Sequence, residues 1–225
     1  MAHSIKSIAC IALTLSLSHA SSLWAGAIVN FTPHTGIASV AATSVVPPVA
    51  PNNENAVGLS PNEFFLTQKD YHGIGPVDLT FDVVGSGGVT EYAFKEGVAN
   101  STGLPWVGYH IELGYGFDAA FFKSTPGDGL DFDFPDYDSG LQFAPSPGFY
   151  FPVATNTSED DIVAGGGVMP NGSFAGYFRF SVDVPDGITQ FTVRQSPIAA
   201  PEPCSVMLFA IGLAGVALYR RRHDR

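Results

Sequence analysis

Cysteine is almost missing from this chain: there are two in 225 residues, Cys10 and Cys204, each in an apolar run near one end. The long segment between them has no disulfide available, so its core alone must hold its fold. Positive charge is scarce too. Residues 26–200 carry five bases (Lys69, Lys95, Lys123, Arg179, Arg194) against nineteen acids. A surface of that sign repels phosphate backbones and anionic lipid, which excludes nucleic acid as a partner. Nucleophile and metalloprotease signatures are lacking: there is no Gly-x-Ser-x-Gly and no His-Glu-x-x-His. The chain is therefore read as not an enzyme. Helical periodicity is lacking as well, since no window before residue 203 repeats apolar residues at helical spacing over ten positions.

What is present is alternation. Leu79, Phe81 and Val83 alternate with Thr80 and Asp82, and Tyr109, Ile111 and Leu113 with His110 and Glu112. Phe178, Phe180, Val182 and Val184 alternate with Arg179, Ser181 and Asp183, and Phe191 and Val193 with Thr192 and Arg194. Period-two runs bounded by Gly, Pro, Asn and Asp are strands with one buried face. Ala27–Phe31 reads as a first strand. Gly36–Ala56, with Pro47, Pro48 and Pro51, reads as an extended arm or sheet edge. Gly85–Gly88 and Gly165–Gly167 read as turns between strands. The expected fold of residues 26–200 is mainly β, an antiparallel β-sandwich ectodomain.

Polar clusters offer the candidate chemistry. Asp128, Asp131, Asp133, Asp136 and Asp138 put five carboxylates in eleven residues, a possible Ca²⁺ ligand set without the spacing of an EF-hand loop. The competing reading is a solvated acidic loop with Phe132 and Phe134 buried. Glu159, Asp160 and Asp161 read as a turn. His110 and Glu112 lie two apart on the polar side of one strand and so point the same way. They could begin a metal or acid–base site, but no third partner is evident in the sequence. Asn30, Asn100, Asn156 and Asn171 begin Asn-x-Ser/Thr sequons, read as turn residues rather than glycan sites.

The ends carry addresses. Lys6, the uncharged run Ile8–Leu17, and small residues permitting cleavage after Ala20 or Ala25 make residues 1–25 a secretory signal peptide. At the other end Pro201, Glu202 and Pro203 precede an uncharged run, Cys204–Tyr219, and then Arg220, Arg221 and Arg222. As a helix those sixteen residues are about 24 Å long at ~1.5 Å per residue. Snorkelling by Tyr219 and the arginines extends that toward the ~30 Å hydrocarbon core. One C-terminal transmembrane helix is expected through residues 204–219, with the arginines in the cytoplasm and the ectodomain outside.

That order of Pro-Glu-Pro, short apolar helix and terminal Arg cluster resembles the PEP-CTERM sorting signal over residues 201–225. The resemblance implies a Gram-negative exported protein, processed at the membrane by an exosortase-type enzyme. It also implies association with producers of extracellular polysaccharide. Pro201, Glu202 and Pro203 would be the recognition element. A second segment, Asn100-Ser101-Thr102-Gly103 followed by Trp106 and Tyr109-His110-Ile111-Glu112-Leu113-Gly114, resembles one found in exported bacterial β-sandwich domains.

The expected function is that of an exported cell-surface or extracellular-matrix protein with a structural or adhesive role and no cofactor, calcium excepted. The alternative is a surface glycan-binding or glycan-cleaving module, with Trp106, Tyr109, Tyr115 and Tyr137 stacking on sugars and carboxylate pairs cutting. Aromatics lining a groove would favour that alternative; the same rings buried between sheets would favour the structural role.

Overall fold

The alternating runs become strands. The computed structural model describes residues 26–45, 62–85, 87–132 and 150–201. Within them lie β1 (Gly26–His34), β2 (Ala38–Val45), β3 (Glu63–Tyr71), β4 (Val77–Gly85), β5 (Thr90–Asn100) and β6 (Trp106–Tyr115). A 3-10 turn (Asp118–Ala120) follows. Then come β7 (Phe122–Lys123), β8 (Asp131–Phe132), β9 (Val153–Ser158), β10 (Asp161–Gly165), β11 (Ser173–Val184) and β12 (Gln190–Ala199). The Ala- and Val-rich segment after Gly36 forms β2, an edge strand as expected; its Pro-rich continuation lies outside the described residues.

Two sheets result. One runs β1-β4-β12-β6-β10-β9 with β7 beside β6, and the other runs β2-β3-β5-β11-β8. The expectation of a purely antiparallel sandwich is corrected at one pair: β3 and β5 are parallel. The reason is connectivity. The chain leaves β3, crosses to the first sheet as β4, and returns as β5, so two reversals leave β3 and β5 running the same way.

The two inner faces share one core, and aromatic rings knit it together. Phe81 of the first sheet meets Phe64 of the second at 4.9 Å and Phe94 at 5.4 Å. Tyr109 and Phe178 stack at 4.7 Å between the sheets. Each such side chain contributes roughly 1.5–3 kcal/mol through burial. The inward positions expected from alternation (Leu79, Phe81, Val83, Ile111, Leu113, Phe180, Val182, Phe191, Val193) are all buried. Thr80 and Thr192, expected on the wet face, are buried as well. They face each other across β4 and β12 at 3.3 Å, and Thr192 Oγ1 donates to Gly116 O at 2.7 Å, so the segment after β6 covers that face.

The turn between β5 and β6 is held by side chains. Asn100, fully buried, donates through Nδ2 to Leu104 O at 2.9 Å and Met169 O at 3.2 Å. Its Oδ1 accepts from Thr102 N–H and from Thr102 Oγ1. Trp106 Nε1 then donates to Thr102 Oγ1 at 3.0 Å, locking the indole into the core. Gly103 adopts φ +84, which favours glycine. This explains the Asn-x-Thr-Gly…Trp pattern physically, and it places the sequon asparagine indoors. Asn100→Ala removes a donor from each of two carbonyls and takes the acceptor from Thr102 N–H, and about 2–3 kcal/mol of stability is the expected loss, read as a lower urea midpoint at unchanged slope.

Candidate functional site

The C-terminal segment leaves from the middle of the larger sheet. β12 is hydrogen-bonded to β4 on one side and β6 on the other. After its last residue, Ala200 N–H donates to Pro105 O at 2.8 Å and Pro201 stands exposed. The sorting residues therefore begin within two positions of a strand paired on both sides. Glu202, Pro203, the run 204–219 and Arg220–Arg222 lie outside the described residues, as does the signal segment 1–25. Among the described residues no helix is long and apolar enough to cross a membrane.

The strands supply the third partner that His110 and Glu112 lacked. β10 pairs antiparallel with β6 and sets Asp161 directly opposite Glu112. His110 Nε2 lies 2.7 Å from Asp161 Oδ1, and His110 Nδ1 lies 3.8 Å from Glu112 Oε2. The carboxylate can only accept, so the ring proton belongs on Nε2. These three residues bring one ligand atom each within 4.8 Å of one another. The cluster already holds a cation, however. Lys123 Nζ sits 2.6 Å from Asp161 Oδ2 and 3.0 Å from Ser158 Oγ. Asp161 thus bonds His110 through Oδ1 and the ammonium through Oδ2, and the group works as an ion-pair latch joining β6, β7, β9 and β10. Of the acidic run expected to form a turn, Glu159 and Asp160 do so between β9 and β10, while Asp161 instead opens β10 and joins the His110 cluster.

The calcium candidates divide. Asp128 folds its carboxylate back onto its own loop, accepting from Ser124 Oγ at 2.7 and 2.9 Å, Leu130 N–H at 3.0 Å, Thr125 N–H at 3.2 Å and Tyr115 O–H at 3.2 Å. Burial pushes its pKa up, but these hydrogen bonds outweigh that and hold it below the ordinary carboxylate value. Asp131 lies in β8 opposite Asp183. Asp133, Asp136 and Asp138 lie outside the described residues. Phe132 is buried, as the acidic-loop reading expects.

Two of the four aromatics proposed as a sugar platform are inside. Trp106 and Tyr109 are fully buried between the sheets, and Tyr115 leans on Phe122 while bonding Asp128. Tyr137 lies outside the described residues.

A polar group that the sequence reading passed over sits in the core itself. Lys69 (β3), Glu96 (β5) and Gln195 (β12) are all fully buried. Lys69 Nζ donates to Glu96 Oε2 at 2.8 Å and to Gln195 Oε1. Tyr109 O–H donates to the same Gln195 oxygen at 2.8 Å, and Tyr71 O–H lies 2.9 Å from Tyr109 O–H. Burial holds the Lys69 pKa below its ordinary value although Glu96 opposes it, and burial drives both tyrosines well above theirs. Alternation would have found two members: Glu96 follows Tyr92 and Phe94 in phase, and Gln195 follows Phe191 and Val193.

No curated protein and no solved structure matches the chain. One family model does, over residues 199–222, and it is described as the PEP-CTERM protein-sorting motif. The strand that ends at Ala199 thus runs straight into a PEP-CTERM motif, which marks this chain as an exported protein sorted by an exosortase-type enzyme.

Proposed function

We propose that residues 26–200 form a structural module of the cell surface or extracellular matrix, without catalytic turnover on an external substrate. The module is delivered by the signal peptide and held by a single span at residues 204–219 until an exosortase-type enzyme acts at Pro201–Pro203. One observation carries this reading: the motif is attached to β12, a central strand paired on both sides, so a pull at the C-terminus is resisted by two ladders in shear. Enclosure of Trp106 and Tyr109 supports a structural role over sugar stacking. Pro201 and Pro203 favour an extended backbone and suit a segment that a processing enzyme must grip.

The test uses the native host and the full chain. Wild-type protein is expected to show an intact mass lacking the residues after the motif. A variant with Pro201→Ala, Glu202→Ala and Pro203→Ala is expected to retain Arg225 and stay in the membrane fraction, with reduced cohesion of the surface layer. Wild-type protein that keeps Arg225 would overturn processing. Unchanged cohesion in cells that no longer display the module would overturn the structural role.

A further inference from the structure

The buried cluster of Lys69, Glu96, Gln195 and Tyr109 holds an amine, a proton carrier, a carboxamide and an O–H donor in contact, with no solvent between them. We propose that the domain cross-links itself, joining Lys69 Nζ to Gln195 Cδ as an amide with release of ammonia. This inference stands on the core geometry alone and does not depend on how the chain is sorted.

Each part has a position that fits its task. Lys69 Nζ lies against the Gln195 carboxamide and 2.8 Å from Glu96 Oε2. Glu96 takes a proton from the ammonium, which burial already disfavours, and leaves a free amine as nucleophile. The amine attacks Gln195 Cδ. Negative charge then develops on Oε1, where the Tyr109 O–H already points from 2.8 Å, the arrangement of an oxyanion site. Burial keeps that phenol in its O–H form. Glu96 passes its proton to Gln195 Nε2 while accepting the one displaced from the attacking nitrogen. The Cδ–Nε2 bond breaks and neutral ammonia departs. One C–N bond forms, one breaks, no electrons are transferred, and Glu96 ends protonated.

Two further observations point the same way. Among the described residues, Glu96 Oε1 and Gln195 Nε2 are buried polar atoms without a hydrogen-bond partner. They are the oxygen left free to take a second proton and the nitrogen that leaves; they do not bond each other, so the relay between them forms only as the carboxamide turns toward Glu96 during attack. The product removes both charges and the orphaned amide donor from the core, so the reaction relieves the polar burial that the unreacted residues impose. Confinement of the partners supplies the effective concentration that an amine and an unactivated amide lack in water.

The full chain, purified from an exporting host without reduction or heating, is weighed intact and then digested. A protease cutting at acidic residues is used, because trypsin would expose Gln195 as a new N-terminus that cyclises with the same loss of ammonia. Wild type is expected one ammonia lighter than its sequence mass, with a branched peptide joining the Lys69 and Gln195 segments. Lys69→Arg keeps the positive charge but not the nucleophile, and is expected at full mass. Glu96→Gln is expected at full mass as well. A wild-type digest with separate, unmodified Lys69 and Gln195 peptides overturns the proposal. So does an ammonia loss that maps to Asn171-Gly172 instead. Linkage that persists in Glu96→Gln removes Glu96 from the mechanism.

Discussion

Lys69→Met is expected to lower the unfolding free energy of the chain by about 3–5 kcal/mol through the Glu96 carboxylate that it strands in an apolar core, on top of the loss of the link it cannot form. The decisive companion is Lys69→Met with Glu96→Leu, compared with wild type in guanidinium. Exchanging a buried ion pair for apolar side chains of similar volume is often neutral or stabilising. If the pair is only ionic, the double variant should match the wild type. A covalent link between residues 126 positions apart also restrains the unfolded chain. That restraint is worth about 5 kcal/mol on the loop-closure model used for disulfides. The expected result is a double variant that stays about that far below wild type. In a protein held by its C-terminus the difference matters, since Gln195 sits in β12 and Lys69 in the opposite sheet. The link ties the strand that takes the pull to the layer that otherwise only packs against it.

Lys69 also shows where sequence reading stops. In β3 the inward residues are Phe64 and Leu66, then Lys69 and Tyr71, because the ladder to β5 shifts register between Leu66 and Lys69. Strict alternation after Leu66 would send Gln68 and Asp70 inward and Lys69 to solvent. A one-residue slip reverses every side chain beyond it, and nothing in Thr67-Gln68-Lys69 announces the slip. Glu96 and Gln195 had the right phase, but a polar residue on an apolar face carries meaning only once its partner is known. Asp161 teaches the same lesson from the outer face: its pairing with His110 depends on β10 lying beside β6, a matter of sheet order rather than local pattern. Sheet order is also why the parallel β3–β5 pair was missed, since two strands in a row say nothing about a crossing to the other layer. The aromatic core was legible because each strand carries its own alternation, and the C-terminal motif because it acts as a linear segment.

Arg194→Met should match the ionic part of the Lys69→Met loss, for a reason that strand alternation cannot supply. Arg194 stands on the outer face of β12, directly opposite Asp78 of β4, where a surface ion pair would contribute about 0–1 kcal/mol. Asp78 is only 2% exposed, however. Arg194 grips both its oxygens, Nε to Oδ1 and Nη2 to Oδ2, each at 2.7 Å. The covering segment completes the shell: Asp118 N–H donates to Asp78 Oδ2 at 2.6 Å, Arg194 Nη2 donates to Asp118 O at 2.8 Å, and the guanidinium lies 3.9 Å from the Phe121 ring centroid. Asp118 holds φ 51, a conformation costly for a residue with a Cβ, so these bonds must also hold a strained turn in place. Hydrogen bonding to Asp78 raises the Arg194 pKa above its ordinary value. A cation whose folded-state pKa is raised stabilises below its unfolded pKa and loses that contribution only above it, so the pair stays intact through the neutral and mildly alkaline range. Removing the guanidinium leaves a buried carboxylate with one backbone donor, and about 3–5 kcal/mol is the expected cost. Arg194→Lys should recover only part of it, since an ammonium cannot grip both oxygens in parallel. Hydrogen exchange at Asp118 N–H should accelerate in both variants, and more in Arg194→Met. A loss below about 1 kcal/mol with unchanged exchange would place the pair among ordinary surface bridges and leave the turn to its other contacts, the Thr192–Gly116 bond and the His34–Phe117 stack.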